Sequence, residues 1–101
     1  MALTTGLANT FLGYQAGLDA DTDTANAEYC TYIGYLAGAY VDDGLENTAV
    51  GAFALGSSDS AGQSANYNVA MGYRALGDIQ DGDQNTAIGY YAGRFNGSEG
   101  A

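Results

Sequence analysis

The sequence predicts an all-β fold, a parallel β-solenoid of about five coils of 17–21 residues. Three observations carry it: a nonapeptide that returns five times, a period of two within each copy, and too few large apolar side chains for a thicker core. The chain has 101 residues, with 8 Leu, 3 Ile, 3 Val and 3 Phe against 18 Ala, 16 Gly and 9 Tyr. Lys plus Arg is 2 and Asp plus Glu is 12, a formal net charge of −10. Standing alone, such a composition marks disorder. The repeat reverses that reading, because stacked coils share a thin interior that small residues can fill.

The first copy is Asn9-Thr10-Phe11-Leu12-Gly13-Tyr14-Gln15-Ala16-Gly17. It returns at 30–38, 47–55, 68–76 and 85–93, with the consensus N-T-A-(aliphatic)-G-Y-x-A-(G or L). The central glycines, Gly13, Gly34, Gly51, Gly72 and Gly89, are spaced 21, 17, 21 and 17 apart, a higher period of 38 residues. Residues 9–46 align with 47–84 without gaps, matching Asp21 with Asp59 and Tyr29 with Tyr67. Residues 1–101 therefore read as a single repeat domain.

Each copy predicts a strand. Positions two and four hold Thr10/Leu12, Thr31/Ile33, Thr48/Val50, Val69/Met71 and Thr86/Ile88, mostly β-branched and alternating with a small residue. These two positions are expected to face the interior, and the residue between them the outside or a neighbouring subunit. A helix is excluded by the recurring glycine, which costs roughly 1 kcal/mol against Ala. That glycine supplies φ > 0 or a close approach of two backbones. Tyr14, Tyr35, Tyr73 and Tyr90 share the next position, with Ala52 the exception. Equivalent residues of successive coils lie about 4.8 Å apart, so these rings are expected to form a ladder. Asn9, Asn47, Asn68 and Asn85 are expected to form an amide ladder.

The segments between copies are rich in Gly, Ser, Asp and Asn and read as loops, 18–29 and 56–67 long, 39–46 and 77–84 short. They hold nearly every acidic residue. Asp19, Asp21 and Asp23 begin like a calcium loop, but Thr24 stands where such a loop needs glycine and Cys30 where it needs a bidentate Glu. A solvated acidic loop is the plainer reading, here and for Asp78, Asp81 and Asp83. Arg94 could pair with a neighbour's acidic loop or remain a solvated charge. Phe95-Asn96-Gly97-Ser98 ends the repeat with a turn signal.

Composition also excludes function classes. Two arginines and no lysine cannot neutralise a run of phosphates, so no nucleic-acid partner is expected. No apolar stretch is long enough to span a membrane as a helix, and the first residues lack the features of a secretory signal. Absent histidine removes the commonest general base and the usual triads. The single cysteine, Cys30, reads as a small buried hydrophobe. Paired carboxylates could in principle serve a glycosidase, but the chain has no large insertion to shape a sugar cleft. No enzymatic activity, no catalytic residue and no cofactor is expected.

The units at Asn47–Gly51, Asn68–Gly72 and Asn85–Gly89 resemble the head repeats of trimeric autotransporter adhesins, which implies left-handed parallel β-rolls packed as trimers. The full pattern, through Ala92 and Gly93, resembles more closely the repeats of bacteriophage virion proteins of the tail-fibre and decoration type. This resemblance covers residues 9–93; Cys30, Thr31, Ala52 and the alternating spacing depart from it. It implies an architectural role at a virion surface or outside the cell. The thin core leads independently to the expectation of a homotrimer. The leading expectation is a trimeric capsid decoration protein or short fibre component, partnered by other virion proteins. The alternatives are a receptor-binding adhesin head or fibre tip, contacting a host surface through 18–29 and 56–67, and a subunit of an extracellular repeat filament.

Overall fold

The computed structural model describes residues 3–4, 8–18, 28–39, 41, 44–55, 65–77 and 82–93. Six strands form one sheet in chain order: β1 (Leu3–Thr4), β2 (Thr10–Leu12), β3 (Thr31–Ile33), β4 (Thr48–Val50), β5 (Val69–Met71) and β6 (Thr86–Ile88). The last five are parallel and pair in motif register: Thr10 with Thr31, Thr31 with Thr48, Thr48 with Val69, and Val69 with Thr86. One strand per nonapeptide, each pairing with the equivalent residues of the next, is compatible with a β-solenoid. β1 differs, pairing antiparallel with β2 through Leu3 opposite Leu12 and Thr4 opposite Phe11.

The stack continues beyond the strands. The glycine N–H of each coil donates to the preceding coil, as Gly34 to Leu12 and Gly51 to Ile33, both at 2.8 Å. Two residues later Leu36 donates to Tyr14 and Phe53 to Tyr35, both at 2.9 Å. Before the motif, Glu46 donates to Glu28 and Tyr67 to Leu45. These columns of bonds satisfy main-chain groups that a thin interior would otherwise bury unpaired.

The central glycine serves both purposes expected of it. Its φ lies between 121° and 131° in all five copies. A β-carbon on Gly13, Gly34, Gly51 or Gly72 would stand 2.7–2.8 Å from the main chain of the next glycine. Three further positions per coil are left-handed: those of Ala8, Gln15 and Gly17 in the first copy, and of Gln84, Tyr91 and Gly93 in the last. Most of these carry side chains, an uncommon choice, and the corners of each coil are built from them.

The interior corrects one expectation. Positions two and four do not face inward; the residue between them does. Phe11, Tyr32, Ala49, Ala70 and Ala87 are buried, whereas Thr10, Leu12, Thr31, Ile33, Thr48, Val50 and Val69 are only half-buried and Met71, Thr86 and Ile88 are exposed. The reason is the asparagine. Asn9, Asn47, Asn68 and Asn85 turn inward to bond the stack, and position three shares their parity along a strand. Ala16, Ala37, Ala54 and Ala75 join the core, with Leu55 and Leu76 at position nine of the third and fourth copies, Cys30 at position one of the second, and Val41 and Ala65 from between the copies.

Position nine complements position three. Phe11 and Tyr32 are accompanied by Gly17 and Gly38, where a β-carbon would come within 2.8 and 2.5 Å of the ring. Where position three shrinks to Ala49 and Ala70, position nine grows to Leu55 and Leu76. The fifth coil has neither large residue. Ala87 and Gly93 instead border a cavity of about 540 Å³ at the end of the described stack.

Candidate functional site

The asparagines are structural. The Asn9 Oδ1 accepts from the Cys30 N–H at 2.8 Å, Asn47 Oδ1 from Asn68 N–H at 2.9 Å, and Asn68 Oδ1 from Asn85 N–H at 2.8 Å. The main acceptor role is thus toward the next coil's backbone; one amide–amide contact accompanies it, Asn68 Nδ2 to Asn47 Oδ1 at 3.2 Å. The Nδ2 groups donate to carbonyls further along the chain, Asn47 to Ala65 at 2.6 Å and Asn68 to Gly82 at 2.9 Å. Cys30 takes the asparagine's place in the second copy. It is fully buried, and its Sγ donates to Gly44 O at 3.3 Å, 14 residues on, the same offset as Asn68 to Gly82. The cysteine therefore replaces an amide donor in addition to filling space.

Most acidic residues of the loops are outside the described residues, among them Asp19, Asp21, Asp23, Asp78 and Asp81, as are Arg94 and Phe95-Asn96-Gly97-Ser98. Asp83 is described and bonds within the stack. Its Oδ1 accepts the Asn66 N–H at 2.9 Å, as Asn66 Oδ1 accepts the Leu45 N–H at 2.9 Å. Sequence reading missed this second side-chain column, because its members, Asn66 and Asp83, are loop residues of ordinary appearance.

Two outward columns remain. One is the open sheet face of positions two and four, Thr10 to Ile88. Its exposure grows along the stack, to 40% at Met71 and 67% at Ile88. The other is aromatic. Tyr14 stacks on Tyr35 at 5.4 Å and Tyr73 on Tyr90 at 5.5 Å. Ala52 interrupts the tyrosine column, and Phe53, one residue on, bridges the gap edge-on, 5.3 Å from Tyr35 and 6.0 Å from Tyr73. Arg74 lies over the Phe53 ring at 4.6 Å and donates to the Tyr73 hydroxyl at 3.2 Å. Sequence reading found the tyrosines but missed Phe53, Arg74 and Tyr91, which stand at the variable seventh position.

Both columns are poor in charge, since positions two, four and six carry no ionisable group other than tyrosine in any copy. The stacked tyrosines turn ring faces to each other and present edges and hydroxyls to solvent. This arrangement suits a long, flat, repeating contact better than a pocket for a small molecule. The buried Tyr32 hydroxyl accepts from Asn47 Nδ2 at 3.4 Å. Burial, and then Cys30 beside it, push its ionisation well above the ordinary value of 10.0. It is a neutral core group. Comparison of the chain with protein-family models, with curated proteins and with solved structures finds no match, so a functional reading rests on this geometry and on the repeat itself.

Proposed function

We propose that the protein is a structural component of a bacteriophage virion, a trimeric capsid decoration protein or short fibre component, in which three solenoids pack through their outward sheet faces. The observation that carries this reading is the outward aliphatic face itself, half-buried at Leu12, Ile33 and Val50 and exposed at Met71 and Ile88. A column of Leu12, Ile33, Val50, Met71 and Ile88 runs the length of the described stack with threonines beside it. Burying such a column stabilises by about 25 cal/mol per Å² of apolar surface. An identical chain is the partner that matches it rung for rung, because both faces repeat with the same rise. Segregating the acidic residues into the connecting segments leaves that face free of like-charge repulsion despite a net charge of −10. The resemblance of the repeats to virion proteins supports the location.

Light scattering behind size exclusion tests the assembly. The expected mass is three chains, falling to one when Ile33 and Val50 are both replaced by Lys. A stable folded monomer of the unaltered chain removes the proposal. Binding to intact capsids without binding to host cells tests the role.

A second reading has its own observation. Tyr29 and Tyr67, the last residues of segments 18–29 and 56–67, are exposed, at 62% and 48%. Exposed tyrosines at such sites are common contact residues, which favours a receptor-binding head. Binding to host cells that is lost on replacing Tyr29 and Tyr67 by Ser would select it.

A further inference from the structure

Among the described residues, the two ends of the stack are built differently. At the start, β1 crosses the outer edge of β2 antiparallel, through two residue pairs. At the other end, no described strand pairs with the far side of β6. Three further features mark that edge as uncovered by the described residues. Asn85, buried like its counterparts, has an Nδ2 with no hydrogen-bond partner among the described residues, where Asn47 and Asn68 reach carbonyls of the chain leading to the next coil. Gly89 is the one central glycine whose absent β-carbon would meet no main chain, its nearest contact being Ala92 Cβ at 3.8 Å. The cavity bordered by Asn85, Ala87, Ala92 and Gly93 opens there.

The missing bonds can be read from the inner coils. Thr10, Thr31, Thr48 and Val69 each donate an N–H to the following coil at 2.8–2.9 Å, and Thr86 is their equivalent. The carbonyls of Leu12, Ile33, Val50 and Met71 each accept from the following glycine at 2.8 Å, and Ile88 is theirs. Gly17, Gly38, Leu55 and Leu76 donate to the following coil's alanine, and Gly93 is theirs.

We infer that this edge is an acceptor for the first coil of a second copy of the chain, and that β1 is the stopper that keeps the copies apart. Once β1 is displaced, Gly13 N–H of the incoming copy meets the Ile88 carbonyl, Gln15 N–H meets the Tyr90 carbonyl, and the Ala16 carbonyl meets Gly93 N–H. Phe11, whose ring lies 5.1 Å from that of Tyr32 one coil away, then covers Ala87 and closes the cavity from above. This is parallel strand addition at an open edge, in a register already used four times within the chain. It requires no lateral trimer; the stacking particle can be one chain or three.

Sedimentation velocity on a chain lacking residues 1–4 tests it. Those residues include β1 and none of the first coil. The expected result is concentration-dependent growth in whole multiples of the intact particle's mass. Thr86→Pro in the same background removes an edge N–H that makes no bond to β5 and is expected to abolish the growth, whereas replacing Ile33 and Val50 by Lys is expected to leave the stacking intact, whether the basic particle is one chain or three. If the truncation does not fold, the full-length Leu3→Pro/Thr4→Pro variant takes its place. A folded, uncapped chain that keeps the intact mass overturns the inference, as does growth indifferent to Thr86→Pro. If growth appears only when residues 94–101 are also removed, the chain's own C-terminal segment is the occupant and the second copy is not.

Discussion

Tyr32 and Gly38 claim the same space: a β-carbon on Gly38 would stand 2.5 Å from the Tyr32 ring, where a side chain and a ring cannot coexist. The third and fourth coils solve the same problem in reverse, with Ala49 and Ala70 facing Leu55 and Leu76. In each of these coils one of the two positions holds a large interior side chain and the other a small residue. Exchanging the arrangement within a coil should be tolerated. Gly38→Leu alone and Tyr32→Ala alone should each lower the melting temperature, the latter through a cavity costing about 3–5 kcal/mol. The double variant should be more stable than the sum of the two by about 1–3 kcal/mol. Additive losses in urea unfolding would refute the exchange.

The fifth coil lacks the large residue from both positions. Gly93 has a φ of 63°, close to the 56° and 51° of Leu55 and Leu76. Gly93→Leu should change stability by less than about 1 kcal/mol in denaturant unfolding, since Gly93 is exposed, so a leucine there gains only part of the roughly 1.5–3 kcal/mol of full burial and the left-handed backbone costs roughly 1–2 kcal/mol.

Gly51 and Gly89 share a φ near 130° but not an environment: only Gly51 is overlaid by another glycine's main chain. Alanine at either place meets the same backbone strain. Gly51→Ala must also push two coils apart. It should therefore destabilise by at least about 2 kcal/mol more than Gly89→Ala, judged against overpacking costs of about 1–3 kcal/mol. Equal losses would leave the contact without importance.

Asn68 links three coils, accepting from the Asn85 N–H and donating to Asn47 and to the Gly82 carbonyl. Asn68→Ala leaves buried groups unpaired, each at about 1–3 kcal/mol. Asn85→Ala removes an amide whose Nδ2 has no partner among the described residues and should cost clearly less. Thermal unfolding of the two variants side by side decides this.

Tyr32 predicts a response to alkali. Its ionisation is raised in the folded state by burial and then by Cys30. The unfolded chain therefore loses this proton first. Stability from this group is fully present below about pH 10 and is lost as pH rises from there toward the folded value, by up to about 1.4 kcal/mol per pH unit. Tyr32→Phe should flatten the fall in melting temperature above about pH 10 and leave its slope near neutrality unchanged.

Much of this architecture was legible in the sequence because the repeat writes it five times. Register, the glycine column and the stacking of Tyr14 on Tyr35 follow from equivalent positions lying over one another. The parity of the strand was not legible from alternation, which separates two faces without saying which is inside. Here the small face is the interior and the aliphatic face is outside, against the usual expectation. Asn9 and its counterparts carried the missing clue, since a buried amide ladder sets the inward parity. The corners were hidden for another reason. Their left-handed residues, among them Gln15, Leu36, Phe53 and Arg74, share a conformation but no side-chain chemistry, so no consensus marks them. The end of the stack depends on what two neighbours lack, Ala87 without a leucine beside it, and such a gap shows only when coils are compared.

The identical bonding of each coil to the next makes the molecule a ruler. Duplicating a 38-residue pair such as 47–84 would insert two rungs, about 10 Å of length, and its one new junction, the third coil following the fourth, would use the main-chain register of the existing steps. Tandem duplication or loss within the coding sequence could then set how far the particle reaches, with the two ends left unchanged.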